Sequence, residues 1–134
     1  MINEIISEEK ARQMQAQVLA MIGDSVHTLF VREYVALKFG VKVNKMNKIV
    51  TSVVKAGSQF KTFKKIEEEL TETERDIAHR ARNSHMHTKA KNFSYSEYIY
   101  ATALEAIIGY LHLTGDNERL DYILNKSLEE LVVE

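Results

Sequence analysis

Two carboxylates stand where a soluble helix ordinarily carries an apolar or neutral residue. Asp24 follows Ile22-Gly23 inside an apolar run, and Glu105 interrupts Ala101-Thr102-Ala103-Leu104-Glu105-Ala106-Ile107-Ile108-Gly109. At ~100° per residue on a helical wheel, Glu105 falls beside the stripe formed by Tyr100, Leu104, Ile107, Ile108 and Leu111, which predicts partial burial. A carboxylate taken out of water is costly unless it is paired, hydrogen-bonded or bound to a cation, so each of the two needs a partner. The residues alone leave that partner open, either a basic side chain or helix terminus, or a cation.

The chain has no cysteine, which excludes disulfides, thiolate zinc sites and cysteine nucleophiles, so a metal would have to be held by oxygen or imidazole. His79, His85 and His87 lie close in sequence, but His85 and His87 fall in an expected loop without a third nearby ligand. Hydrogen bonding or partial positive charge near a phosphate suits them better than zinc. His27 and His112 read as ordinary helix residues. The net charge of -1 conceals a segregation, since eight lysines lie between Lys38 and Lys65 without one acid. From Arg75 to Lys91 five basic residues face only Asp76, while acids gather at Glu67 to Glu74 and from Glu97 onward. Such a chain presents cationic faces to a polyanion. No apolar run approaches the ~18 residues needed to span a bilayer. The N-terminus is acidic and has no long apolar core, unlike a secretory signal, so no membrane and a cytoplasmic location are expected.

The elements that must position these residues are helices. Proline is absent and only five glycines occur in 134 residues, which leaves few enforced breaks and predicts an all-α fold in one domain over 1–134. Ser7 with Glu8 and Glu9 opens a helix to about Met21, with a break or bend at Gly23. From Asp24 to Phe39, Val26, Leu29, Phe30 and Leu37 share one face and Val31 and Val35 another, which predicts the first set packed inward and the second free for a partner chain. Gly40 caps this helix. Asn44 starts the next, which carries a weak point at Gly57 and the stripe Phe60, Phe63, Ile66 and Leu70. Thr71 with Glu74 forms a capping box for a helix to about Arg82, and residues 83–93 read as a loop. Ser94 with Glu97 forms a second box, for a helix to Leu113. Thr114-Gly115-Asp116 then stops it and caps the last helix, with the stripe Leu120, Ile123, Leu124, Leu128 and Leu131.

The run Ile22-Gly23-Asp24-Ser25-Val26 resembles the core of the ribonuclease III signature, and Ala103 to Leu111 is similar to that family's second acidic motif. Asn44 to Lys48, Val54 to Gln59 and Arg80-Ala81-Arg82-Asn83 resemble further elements of its short branch, the mini-ribonucleases III, with Ala81 where the branch has glycine. The resemblance covers roughly Gln15 to Tyr122, without an appended double-stranded-RNA-binding domain. It implies a single ribonuclease III-like helical domain acting as a Mg2+-dependent endoribonuclease on double-stranded RNA. It further implies a homodimer with one site per strand, and 5′-phosphate products of the kind made in maturing 23S ribosomal RNA precursors. Asp24 and Glu105 would be the catalytic, metal-holding carboxylates. Lys45, Lys48, Lys55, Arg80, Arg82, Asn83, Lys89 and Lys91 would meet RNA. Ala20 and Thr102 stand where larger relatives carry two more acids, which implies fewer protein ligands and more coordinated water, as magnesium accepts. The competing reading is a catalytically silent domain of the same fold that binds RNA or a ribosomal assembly. A helical protein-interaction module would leave the lysine segment unexplained.

Overall fold

Helix ends follow the capping residues. The computed structural model describes residues 4–84 and 94–134. Ser7 Oγ accepts the Lys10 N–H at 3.1 Å and opens α1 (Glu8–Gln13). There follow α2 (Ala16–Phe39), α3 (Val43–Val54), α4 (Ala56–Ile66) with a 3-10 turn at Glu67–Glu69, α5 (Glu72–Asn83), α6 (Ser94–Thr114) and α7 (Asn117–Ser127). Gly40, at φ 58°, closes α2 in the left-handed conformation that lacks a Cβ penalty only for glycine. Both bonds of the Thr71–Glu74 capping box are present, and Asp116 caps α7 by accepting from Arg119 N–H. The serine side chain of the second expected box, at Ser94, lies outside the described residues. The fold is all-α, with no strand among the described residues.

The centre is α6, which packs most extensively on α2 and also meets α4, α5, α7 and α1. From Ala101 to Leu111 every residue except Glu105 is buried. A helix apolar on all sides must be covered on all sides, and the other helices do so. A second cluster joins Val31 and Val35 of α2 to Ile49, Val50 and Val53 of α3.

That cluster corrects one expectation. Val31 and Val35 are fully buried within the chain, whereas Leu29 and Leu37 are 39% and 88% exposed. The wheel gave two apolar faces but not which one α3 would cover. Each buried valine contributes roughly 1.5–3 kcal/mol relative to exposure.

Two helix breaks also fall elsewhere than expected. The first lies at Met14-Gln15, and α2 runs straight through Gly23. The Arg80 guanidinium donates to the carbonyls of Arg12 (3.0 Å) and Met14 (2.6 Å), so the chain can leave α1 there without stranding those acceptors. The second lies at Lys55 rather than Gly57. There Lys55 is extended, and Ser58 Oγ donates back to the Ser52 carbonyl that the break releases. Ala81 sits buried inside α5, and no non-glycine residue among those described has positive φ, so glycine is not required there.

One ion pair pins α5 to α7. Arg119 donates to both oxygens of the buried Glu74, at 3.0 and 2.9 Å. Removing one member of such a pair leaves an uncompensated buried charge, so Arg119→Ala is expected to cost about 3–5 kcal/mol in urea denaturation. Arg119→Lys should restore only part of it, because the two-pronged geometry is lost. A cost of Arg119→Ala below about 1 kcal/mol, the range of an exposed pair, would refute this account.

Candidate active site

Asp24 and Glu105 meet because two helices cross at glycines. A Cβ on Gly23 would lie 1.7 Å from the Glu105 carbonyl oxygen, and one on Gly109 would lie 2.0 Å from that of Leu19. The backbones of α2 and α6 are therefore in direct contact, and the residue after Gly23 is carried to the edge of α6. Asp24 is exposed and Glu105 half-buried, with the two carboxyl groups in hydrogen-bonding contact. Burial, and then Asp24, pushes the Glu105 carboxyl up to about 8. At neutral pH the Glu105 carboxyl therefore keeps its proton. Ala20 and Thr102 bring no carboxylate to the pair. Ala20 is buried, and the Thr102 hydroxyl donates to the Tyr98 carbonyl of its own helix at 3.0 Å.

Behind Glu105 lies a row of buried polar groups that the sequence reading did not single out. Gln59 Nε2 donates to Glu105 Oε2 at 3.4 Å and to His27 Nδ1 at 3.0 Å, and His27 Nε2 lies 3.0 Å from Ser127 Oγ. His27, Gln59 and Ser127 are all buried, and burial lowers the imidazole to about 4. The signal was present but faint. His27 follows Ala20 and Gly23 along the buried face of α2, and Gln59 heads the stripe continued by Phe63 and Ile66.

The basic residues divide. Lys45, Lys48 and Lys55, with Lys61, line one groove of about 560 Å³ between α3, α4 and the C-terminal segment. Glu130 and Glu134 line it too, so a stretch free of acids in sequence is not free of them in space. Lys64 and Lys65 are bonded to Glu67 and to Glu129 and Glu130. Arg80 is occupied at the end of α1. The Arg82 guanidinium lies 5.0 Å from the centre of the Tyr100 ring, and Asn83 bonds His79 at 3.0 Å. Lys89, Lys91, His85 and His87 lie outside the described residues.

Chemically, two carboxyl groups this close repel each other when both are ionised, and either a proton or a cation offsets that repulsion. A divalent ion placed there would take over the proton's role of offsetting like charges. Among the described residues no group of three or more His, Cys, Asp or Glu side chains is placed to hold a metal. The pair suits an ion that keeps several waters and needs one or two carboxylates. No helix among the described residues is long and apolar enough to cross a membrane.

Known proteins share this arrangement of sequence and fold. Residues 17–116 match the family model described as the ribonuclease III domain. The chain is 37% identical over 126 residues to the mini-ribonuclease 3 of Thermoanaerobacter sp. (strain X514), covering 94% of this chain and 89% of the relative. It is 42% identical over 110 residues to that of Staphylococcus aureus (strain NCTC 8325 / PS 47), covering 81% and 82%. A crystal structure of a Fusobacterium nucleatum protein superposes with a TM-score of 0.78 at 36% identity, over 88% of this chain and 94% of that one.

Proposed function

Because this endoribonuclease belongs to the ribonuclease III family, in its mini-ribonuclease branch, we propose that it cuts double-stranded RNA with magnesium held by Asp24 and Glu105. The observation that carries this is the contact between two carboxyl groups from opposite parts of the chain, at a helix crossing made of glycines. A pure RNA binder gains nothing from acids that face phosphate. When bound, the cation would supply charge neutralisation at the scissile phosphate and an activated water. Asp24 and Glu105 would bind it from two helices whose spacing cannot change without disrupting the core. Glu105 would give up its proton in doing so. The natural substrate in this reading is a ribosomal RNA precursor in the cytoplasm, and residues 1–134 form one catalytic domain. Incubation of a plain RNA duplex and its separate strands, with magnesium or with chelator, tests the reading. Duplex-specific, magnesium-dependent products with 5′-phosphates are expected. Cleavage of the single strands alone, or undiminished cleavage in chelator, would overturn it.

Lys45, Lys48 and Lys55 are exposed and share one groove, so they are the described lysines best placed to follow a phosphate backbone. Replacing all three by glutamine is expected to weaken duplex binding and to flatten its salt dependence. The slope should fall by about one for each lysine that meets a phosphate, since fewer counterions are released. An unchanged slope in a titration from low to moderate salt would remove this groove from the RNA path.

The proposed homodimer uses a different face from the valines. Val18, Met21 and Leu29, which are 43%, 72% and 39% exposed, form one stripe on α2 beside Asp24. A twofold pairing across it would place two sites near each other, one for each strand. Met21→Asp is expected to yield a monomer in sedimentation at micromolar concentration and to abolish paired cuts. A dimer that survives Met21→Asp and Leu29→Asp together would move the interface elsewhere.

A further inference from the structure

The groups behind Glu105 form a chain with a direction. Ser127 Oγ has one hydrogen, and its contact with the Leu124 carbonyl, at 2.6 Å, is shorter than that with His27 Nε2, at 3.0 Å, which assigns the hydrogen to the carbonyl and leaves the oxygen to accept from His27. The proton of His27 must then sit on Nε2, which leaves Nδ1 bare. A bare Nδ1 accepts from Gln59, and this fixes the amide so that its nitrogen, not its oxygen, faces both the ring and Glu105. Both N–H bonds of Gln59 are thereby used. The opposite tautomer would turn the Gln59 carbonyl toward the ring and bring a second oxygen against the carboxylate, which repels it. All three supporting side chains are buried, so the bonds among them are shielded from water. Burial keeps the ring neutral, consistent with its role as acceptor.

We infer that Gln59 and His27 are positioning residues for the reaction: an Nε2-protonated His27 locks the Gln59 amide, and Gln59 holds one oxygen of Glu105 and so fixes how the carboxyl group is presented to Asp24 and to a cation bound there. At 3.4 Å the contact is at the long end of a hydrogen bond. Glu105 is thus presented as one fixed rotamer rather than as a free side chain on the rim. The Gln59–His27 pair is the outer layer that orients a metal-holding group. This inference rests on Glu105 and Asp24 being the working carboxylates.

The test has one arm on the unaltered protein. The side-chain 15N spectrum of His27 in the wild type is expected to show a protonated Nε2 and a bare Nδ1, and a protonated Nδ1 would overturn the inference. In the second arm, Gln59→Met keeps length and apolar packing but removes both donors, and Gln59→Asn keeps an amide too short to reach both partners. Calorimetric Mg2+ binding is expected to weaken about 10- to 100-fold in either variant, with kcat falling by a similar factor and the KM for duplex unchanged. His27→Phe should cause a smaller loss, because Gln59 remains but is free to turn. Wild-type Mg2+ affinity and kcat in a folded Gln59 variant would overturn the proposal, provided Asp24→Asn is inactive. If Asp24→Asn itself still cleaves, the underlying reading of the site falls, and the positioning role with it.

Discussion

Glutamine in place of Glu105 is expected to abolish cleavage and to remove a loss of stability that the wild type suffers as pH rises toward 8. The first effect follows from deleting one of two negative groups at the helix crossing with little change in shape. Asp24→Asn should be equally inactive. The second follows from linkage. The Glu105 carboxyl titrates near 4.5 when unfolded and at about 8 in the fold, so the native state binds the extra proton between those values. Its stabilising effect is complete below the lower value and is lost as pH rises through the upper one. His27 acts in the opposite sense, because its ordinary value of 6.5 falls to about 4 on folding. Its contribution is complete above the higher value and is lost as pH falls through the lower one. The two oppose each other in mildly acid solution, and only Glu105 acts between about 6.5 and 8. Urea denaturation of the metal-free protein at the two ends of that window should show a decline in the wild type that Glu105→Gln lacks. Magnesium should suppress the same decline, since the cation replaces the proton. Equal pH dependence in the two proteins would mean that folding does not raise the Glu105 carboxyl. Residual turnover of Glu105→Gln near the wild-type rate would remove it from the site.

Much of this was legible along the chain, for local reasons. The Thr71–Glu74 box, Gly40 and Asp116 act within a turn of themselves, so their effect is written next to them. Glu105 was visible because it is the single charge in the apolar run of α6, and Asp24 because it abuts another such run. What could not be read depends on partners far away in sequence. The break after α1 is stabilised by Arg80, 66 residues beyond Met14. The burial of Val31 and Val35 depends on α3 folding back over one of two equivalent apolar faces. His27, Gln59 and Ser127 each pass for an ordinary helix residue, and their relation spans 32 and 100 positions. The acids that face the lysine groove come from the C-terminal segment. Sequence physics also left open whether the two carboxylates were salt-bridge partners or a site. The family resemblance favoured the site, and the direct contact between the carboxylates supports that reading.

Alanine at Gly23 is expected to do more damage than any other single methyl added to this protein, with Gly109→Ala close behind. The added Cβ at position 23 would lie 1.7 Å from a backbone oxygen of α6, and that at 109 would lie 2.0 Å from one of α2. Neither neighbour is a side chain that can rotate away, so the helices themselves must part, by roughly 2 Å if ordinary contact is to be restored. Separation of the most extensive helix pair in the fold loosens the cluster around Leu104, Ile107 and Ile108, and the cost should reach or exceed the ~3 kcal/mol upper range of overpacking. Activity should fall further than stability alone explains, because Asp24 sits on one helix and Glu105 on the other. A misplacement of about 1 Å in such a constellation costs on the order of 100-fold. Gly57→Ala is the control. Its Cβ would meet the Glu97 carboxylate at 3.5 Å, an ordinary contact at the end of a flexible side chain. Alanine there also gains up to about 1 kcal/mol of helix propensity. Thermal melts of the three variants, with cleavage rates measured at a temperature where each remains folded, separate the two effects. A Gly23→Ala protein that melts like the wild type and cleaves at its rate would show that the glycine crossing does not set the distance between the two carboxylates.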